Sequence, residues 1–444
     1  MTGTPAGGAG ADQDPGSSAS QAARTALAGL DAALRERLAD LYRDLHEHPE
    51  LSFAETRTAG IVAQAAAELG YEVTPGVGRT GVVAVLRNGA GPNVLLRADF
   101  DALPVLEQTG LPYASKATGV DPDGRTVPVM HACGHDMHVA CLLGAMELLA
   151  HSRSLWSGTL IAVFQPAEEV GEGARAMIAD DFYARFGRPD VVLGQHVLPT
   201  PSGTIGGHAG PCFSGTDSMR VTMFGRGGHG AFPESAVDPV VMAAATVLRL
   251  QTVVSREVAA SDSAVVTVGS IHAGTKDNII PDDAEFTVNV RSFTAPVREK
   301  VLAGVRRVIK AESDASGAPR DPQYTPISTF PVLVNDEAAT ARTNGALRAA
   351  LGGQRVLDPG VIPGSEDVGL FGTEAGVPVC YWIFGGADPA PFAGATTLEQ
   401  LQSVVRGLPT NHSPLFAPVI EPTLSTGVSA LTVAALAWLA AAAG

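Results

Sequence analysis

Four short apolar runs constrain this chain most: GVVAVL at 81–86, NVLLRAD at 93–99, GTLIAVFQ at 158–165 and VVLGQHV at 191–197. Each has the length and bounding residues of a strand. Helical patterns separate several of them, notably HVACLLGAMELLA at 138–150. Strands alternating with helices predict an α/β unit, with a central mixed sheet flanked by helices on both faces. In such sheets ligands gather at the carboxyl ends of the strands. Here those ends carry polar or titratable residues: Asp99 and Asp101, Glu168 and Glu169, and His196.

The flanking segments fit the same plan. Helices are expected over 30–46, stopped by Pro49, and over 55–69, closed by Gly70. From 217 to 330 the texture changes. SMRVTMFG and AEFTVNVRSF alternate as half-buried strands, and 239–254 and 297–312 read as helices. The order strand–helix–strand–strand–helix–strand predicts a small α+β, ferredoxin-like unit. The α/β texture resumes afterwards, so the expected division is 23–216 with 331–444, and an insert at 217–330. Residues 1–22 are rich in Gly, Ala, Ser and Pro, lack the features of a signal peptide, and read as a disordered tail. The apolar C-terminus, VSALTVAALAWLAAAAG, reads as a buried last helix rather than a membrane span.

Composition narrows the function. With 444 residues, 45% of them hydrophobic, the chain can build a sizeable core. The net charge of −16 gives no electrostatic footprint for nucleic acid or for anionic membranes, so neither is an expected partner. The four cysteines, 133, 141, 212 and 380, form no C-x-x-C pair and are too sparse for a disulfide scaffold. A reducing, cytoplasmic setting is the expectation.

Chemistry concentrates in four places. Residues 130–138 read MHACGHDMH, with three histidines, a cysteine and an aspartate, types that suit zinc and similar divalent ions. QPAEE at 165–169 puts adjacent carboxylates at a strand end, where one can bind a metal and the other act as general base. His196 in GQHV ends another strand, and His412 stands in PTNHSP. Each histidine alone is more often structural, but together Cys, His, Glu, His and His suffice for a two-metal site.

These segments, with GRGGHGAFPE, DNIIPD, GSEDVGLFG, LYRDLHEHPELSFAETRTA and RADFDALP, resemble the M20 metallopeptidase family. They are most similar to its amidohydrolase branch, the hippurate hydrolases, N-acyl-amino-acid amidohydrolases and auxin-conjugate hydrolases, which carry Cys where other members usually carry Asp. The resemblance covers about 35–435. It implies two divalent metal ions, zinc before manganese, cobalt or nickel. Cys133 would bridge them, and His135, Glu169, His196 and His412 would be ligands. Glu168 would be the general base that takes a proton from the water between the metals and passes it to the leaving amine. Asp101 would orient a metal ligand, and Asp136 could support one. His131 and His138 read as structural. In the insert, a lid and dimerisation domain by resemblance, His229 would stabilise an oxyanion, often across subunits. Asn278 would contact substrate, Arg291 would clamp its carboxylate, and 364–367 would line the pocket. The implied reaction is amide hydrolysis of N-acyl or N-aroyl amino acids by a homodimer or higher homo-oligomer. Peptidase action on dipeptides or short peptides is the alternative, and a catalytically dead binding protein a remote one.

Overall fold

The computed structural model describes residues 15–395 and 397–441. One sheet opens on β1 (Glu72–Val77), and the four apolar runs become its strands β2 (Gly81–Asn88), β3 (Asn93–Asp99), β4 (Trp156–Gln165) and β5 (Val191–Pro201), followed by the short β6 (Ile205–Gly206). β7 (Gly215–Phe224), β8 (Ala264–Ala273), β9 (Asp283–Ser292) and β10 (Gln323–Phe330) build a second sheet, while β11 (Val379–Ala387) and β12 (Ala440–Ala441) return to the first. The order in the large sheet is β1-β2-β4-β3-β5-β11-β6, with β12 added on β4. The inner four, β4, β3, β5 and β11, run parallel, and antiparallel pairs flank them.

Helices of seven residues or more are α1 (Pro15–Leu27), α2 (Ala32–Glu47), α3 (Thr56–Glu68), α4 (His135–His151), α5 (Gly173–Ala179), α6 (Pro239–Glu257), α7 (Ala295–Ala315), α8 (Glu337–Leu351), α9 (Gly369–Ala375), α10 (Leu398–Arg406) and α11 (Ile420–Trp438). Alternate strand residues choose the face. Val82, Ala84 and Leu86 of β2, with Leu160, Ala162 and Phe164 of β4, pack towards α2, α3, α4 and α11. Their neighbours Val83, Val85, Ile161 and Val163 pack towards α5 and α9 on the other face. Both faces are dry, which is why these strands read as unbroken apolar runs.

The second sheet has the antiparallel order β8-β9-β7-β10. Together with α6 and α7 on one face this is the expected ferredoxin-like arrangement. Its own core joins Val221, Phe286 and Val288 to Leu250, Val301 and Val305. The unit enters and leaves side by side, with Thr216 opposite Phe330 in the β7–β10 ladder.

At the chain ends the structure differs in part from the sequence reading. Residues 1–14 of the expected tail lie outside the described residues, but from Pro15 onward the chain is helical, and α1 buries Ala23 and Ala26 in the main core. The physical reason is that its alanines offer small apolar surface to α8 and α11, which composition alone does not reveal. α11 is long and apolar enough to cross a membrane by composition, yet most of it is buried against α1, α4 and α8.

Two contacts fix how α2 and α4 approach. Gly144 of α4 lets Leu38 and Val428 close in: a Cβ there would stand 2.6 Å from Leu38 Cδ1 and 2.7 Å from Val428 Cγ2. Nearby, buried His46 pairs through Nδ1 with Asp136 Oδ2 at 2.6 Å and through Nε2 with Glu107 Oε1 at 3.1 Å. Burial lowers the affinity of this imidazole for a proton, but Asp136 and Glu107 outweigh it and hold the pKa up to about 10.

Gly144→Ala should therefore destabilise the fold by about 1–3 kcal/mol through overpacking, read as a lower urea midpoint. His46 gives a pH signature. Its raised pKa contributes stability in full below about pH 6.5, and that stability is lost as pH rises towards 10. Urea unfolding across this window should show the loss in the wild type, and a His46→Gln variant should show a smaller one.

Candidate metal centre

The parallel register brings the chemistry level. Asp99 stands opposite Gln165, and Arg97 is opposite Gly194, so the end of β3, the turn after β4 and His196 on β5 meet at one height. The turn after β4 carries Glu168 and Glu169. It requires Ala167 at φ 50°, a costly conformation for a residue with a Cβ. Glu55 holds it: the Ala167 N–H donates to Glu55 Oε1 at 2.9 Å, and Thr80 Oγ1 donates to Glu55 Oε2 at 2.5 Å. Burial, with Asp101 nearby, pushes the Glu55 pKa up to about 7.

Cys133 and His135 are set by Gly134, at φ 87° just before α4. A Cβ there would lie 2.5 Å from Val197 Cγ1, so only glycine lets this segment run against β5. Asn411 fastens the far end of the chain to the same place, donating to the Cys133 carbonyl at 3.0 Å and the Val197 carbonyl at 3.1 Å. The next residue, His412, adopts φ 71°.

The five expected ligands converge. Cys133 Sγ lies 3.4 Å from His196 Nε2. His412 Nε2 lies 3.3 Å from Glu169 Oε2, and His135 Nε2 lies 3.9 Å from Glu169 Oε1. Ligand atoms of Cys133, His135 and His196 lie within 4.8 Å of one another, as do those of Cys133, Glu169 and His412, and those of His135, Glu168 and Glu169. Both imidazoles on the sheet side have their outer nitrogen fixed. His135 Nδ1 donates to the Asp101 carbonyl at 2.9 Å, with Asp101 Oδ1 at 3.2 Å, and His196 Nδ1 donates to the Val197 carbonyl at 2.8 Å. That leaves each Nε2 aimed into the cluster.

These residues fit divalent ions. His135 Nε2, Glu168 Oε1 and Glu169 Oε1 are buried with no hydrogen-bond partner among the described residues. Unsatisfied buried groups are costly, and a cation between them removes the cost. Burial opposes the charged form of each group, although Asp99 and Cys133 outweigh it at His135 and hold that imidazole's pKa well above its ordinary value. Burial pushes the Cys133 thiol up, Glu169 to about 8 and Glu168 well above the usual carboxylate range, and it lowers His196 and His412. A bound dication reverses this preference for the acids and the thiol.

Asp101 takes the place expected of it, holding the His135 ring, and it also accepts from Ser52 Oγ at 2.7 Å and the Glu169 N–H at 3.0 Å. Asp136 is turned away from the cluster towards His46, because its carboxylate is already spent there. His138 bridges Asp99 and the Val197 N–H, a structural part. His131 is buried with both ring nitrogens unpartnered among the described residues.

Segment 364–367 does not all line a pocket. Glu366 and Asp367 are fully buried, since both carboxylates pair with Arg97: Nη2 lies 2.8 Å from Glu366 Oε1 and 3.1 Å from Asp367 Oδ1. Arg97 also pairs with Asp99 at 2.6 Å. Sequence reasoning placed Asp99 at a strand end without a role and missed Arg97 and Glu55 as parts of the site. The signal for Arg97 was a lone charge inside an apolar strand.

The insert residues stay outside the cluster. His229 is exposed and Asn278 lies beside it, its carbonyl accepting from the Gly230 N–H at 2.9 Å. Arg291 on β9 donates to the Pro363 carbonyl at 2.7 Å and stands 3.4 Å from Ser365 Oγ. Its charge reaches His412 and helps lower that pKa, after burial and His135.

Comparison with known proteins agrees with this geometry. The family model for peptidase family M20/M25/M40 matches residues 95–406. N-acetyl-L-cysteine deacetylase of Bacillus subtilis is 37% identical over 342 residues, 77% of this chain and 78% of that protein. Hippurate hydrolase of Campylobacter jejuni is 38% identical over 330 residues, 74% of this chain and 82% of that protein. The crystal structure of a dinuclear metal-binding M20 peptidase from Bacillus subtilis superimposes with a TM-score of 0.70 at 30% identity, covering 92% of this chain and all of that one. With the five ligand types converging at the strand ends, these matches mean that the chain belongs to peptidase family M20/M25/M40.

Proposed function

We propose that the chain hydrolyses the amide bond of N-acyl or N-aroyl amino acids, releasing the free amino acid and a carboxylic acid. The observation that carries this reading is the convergence of Cys133, His135, Glu169, His196 and His412 around unpartnered buried atoms. Similarity to a deacetylase and a hippurate hydrolase, both named for N-acyl amino acids, supports the substrate class.

Two divalent ions would be held by those five residues, Cys133 belonging to both the group with His135 and His196 and the group with Glu169 and His412, and would supply a polarised carbonyl and an activated water. The thiolate favours zinc; manganese, cobalt and nickel also suit the imidazole and carboxylate ligands. Glu168 is the residue for proton transfer. It is buried, its Oε1 is free among the described residues, and burial with Glu366 and Glu169 raises its proton affinity. Such a carboxyl can accept the proton of the attacking water and return it to the leaving nitrogen. Asp101 keeps His135 in the tautomer that presents Nε2. Arg291 is placed to attract the amino-acid carboxylate, since a guanidinium matches it as a fork.

His229 and Asn278 lie together on the insert, and His229 is exposed rather than turned to its own chain's cluster. This supports a homodimer in which the pair serves the neighbouring subunit. Four free, buried thiols support a reducing, cytoplasmic setting.

Glu168→Gln should keep the divalent metal content of the wild type, measured by elemental analysis, yet lower kcat on N-acetyl and N-benzoyl amino acids by about 10²–10⁴-fold. Near-normal turnover in that variant would remove Glu168 from its role. Chelation should abolish activity, and added zinc or manganese should restore it. Selective cleavage of dipeptides with a free amino group would instead favour peptidase action.

A further inference from the structure

A second opening lies beyond the metal centre. At the carboxyl ends of β5 and β11 the structure leaves a cavity of about 810 Å³. That is within the size range of small-molecule pockets, about 300–1,000 Å³. One wall is apolar sheet and loop: Pro201, Ile205, Leu357 and Ile383. The other is α10, which contributes Leu401 and Val405, four residues apart and so on one stripe of the helix.

Two observations set the cavity apart from a packing defect. First, it borders the strand that carries a residue of the cluster. Ile383 is the ladder partner of His196, and partners in register project to the same face. Thr200, which also lines the cavity, is four residues past His196, about 13 Å along the strand. The side chain of Ile383 thus stands beside that of His196 and also lines the cavity. Second, Leu357 is 44% exposed although it faces an apolar wall.

The polarity of the substrate decides which end enters. Its carboxylate belongs near Arg291, on the insert side of His412. Of the charged residues lining the cavity, Asp358 repels a carboxylate, and Arg406 is exposed at the carboxyl end of α10. The apolar end of the substrate is its acyl tail.

We infer that this cavity receives the acyl tail, and that the chain prefers long, apolar acyl groups to acetyl. The inference rests on the N-acyl amino acid reading above and specifies its substrate class. α10 is then the specificity wall, and Leu401 and Val405 read chain length by contact.

The test is kcat/KM of the metal-loaded full chain on N-acetyl-, N-hexanoyl- and N-decanoyl-leucine. Each methylene buried against these walls should raise kcat/KM up to about fourfold, so the decanoyl conjugate should exceed the acetyl one by about 100-fold or more. Leu401→Glu should cut the decanoyl value by about tenfold or more and leave the acetyl value within about twofold, which also reports that the variant is folded. Leu401→Trp, which shortens the cavity, should move the optimum to shorter chains. A kcat/KM that is flat or falls with chain length overturns the inference while leaving N-acyl hydrolysis intact. Equal losses on both substrates in Leu401→Glu overturn it as well. If no N-acyl amino acid of any length is cleaved, the hydrolase reading fails and this one with it.

Discussion

One buried guanidinium organises the floor of the site. Arg97 sits in the middle of the sheet with no exposed side-chain surface, and it pairs with Asp99, Glu366 and Asp367 while its Nε donates to Gln165 Oε1 at 2.9 Å. Guanidinium keeps its charge in any protein environment, so it can anchor acids where water cannot reach. Those partners come from three separate stretches: the end of β3, the end of β4 and the segment before α9. Tyr381 of β11 closes the group, donating to Glu366 Oε2 at 2.5 Å. The turn bearing Glu168 and Glu169 follows directly on β4, whose last residue, Gln165, is held in this cluster by Arg97 and Asp367.

The same cluster explains why the site sits at an acidic surplus. Arg97 has three carboxylate partners, and Glu168 approaches two of them, Glu366 and Asp367, to within 4.8 Å. Burial pushes Asp367 up to about 7 even with Arg97 beside it. One cation is too few for this many acids. Dications held by Cys133, His135, Glu169, His196 and His412 would supply the missing positive charge, and Arg291 adds more from the insert. A chain with a net charge of −16 can thus still receive an anionic substrate, because the local balance at the strand ends differs from that of the whole surface.

Much of this was legible in the residues. The unbroken apolar runs gave away the doubly covered sheet, since a strand buried on both faces has no polar alternation. The alternation of 218–225 and 284–293 separated the one-sided sheet of the insert. The five side chains that converge were legible as candidates because metal-binding residue types are rare and clustered. Other parts were hidden for physical reasons. Nothing local marks Glu55 as the support of Ala167, because the two stand 112 positions apart and meet only when the chain folds back. Glu366 and Asp367 looked like pocket residues, since acids are normally wet, and only the position of Arg97 explains their burial. α1 was hidden in a composition that also suits an unstructured tail.

The paired crossing into the insert has a mechanical consequence. Because β7 and β10 leave the large unit as neighbours in one ladder, the connection is a two-stranded strap rather than a single thread. A strap bends about one axis and resists torsion. Its root is also stitched to the 363–365 loop, through Ser214 Oγ to the Pro363 carbonyl at 2.9 Å, Thr216 Oγ1 to Ser365 Oγ at 2.5 Å, and Arg291 to Pro363. That loop leads straight into Glu366 and Asp367. Any swing of the insert therefore pulls on the strand of residues that ends at Arg97, and the stiffness of the whole enzyme is concentrated in a few polar stitches at one seam.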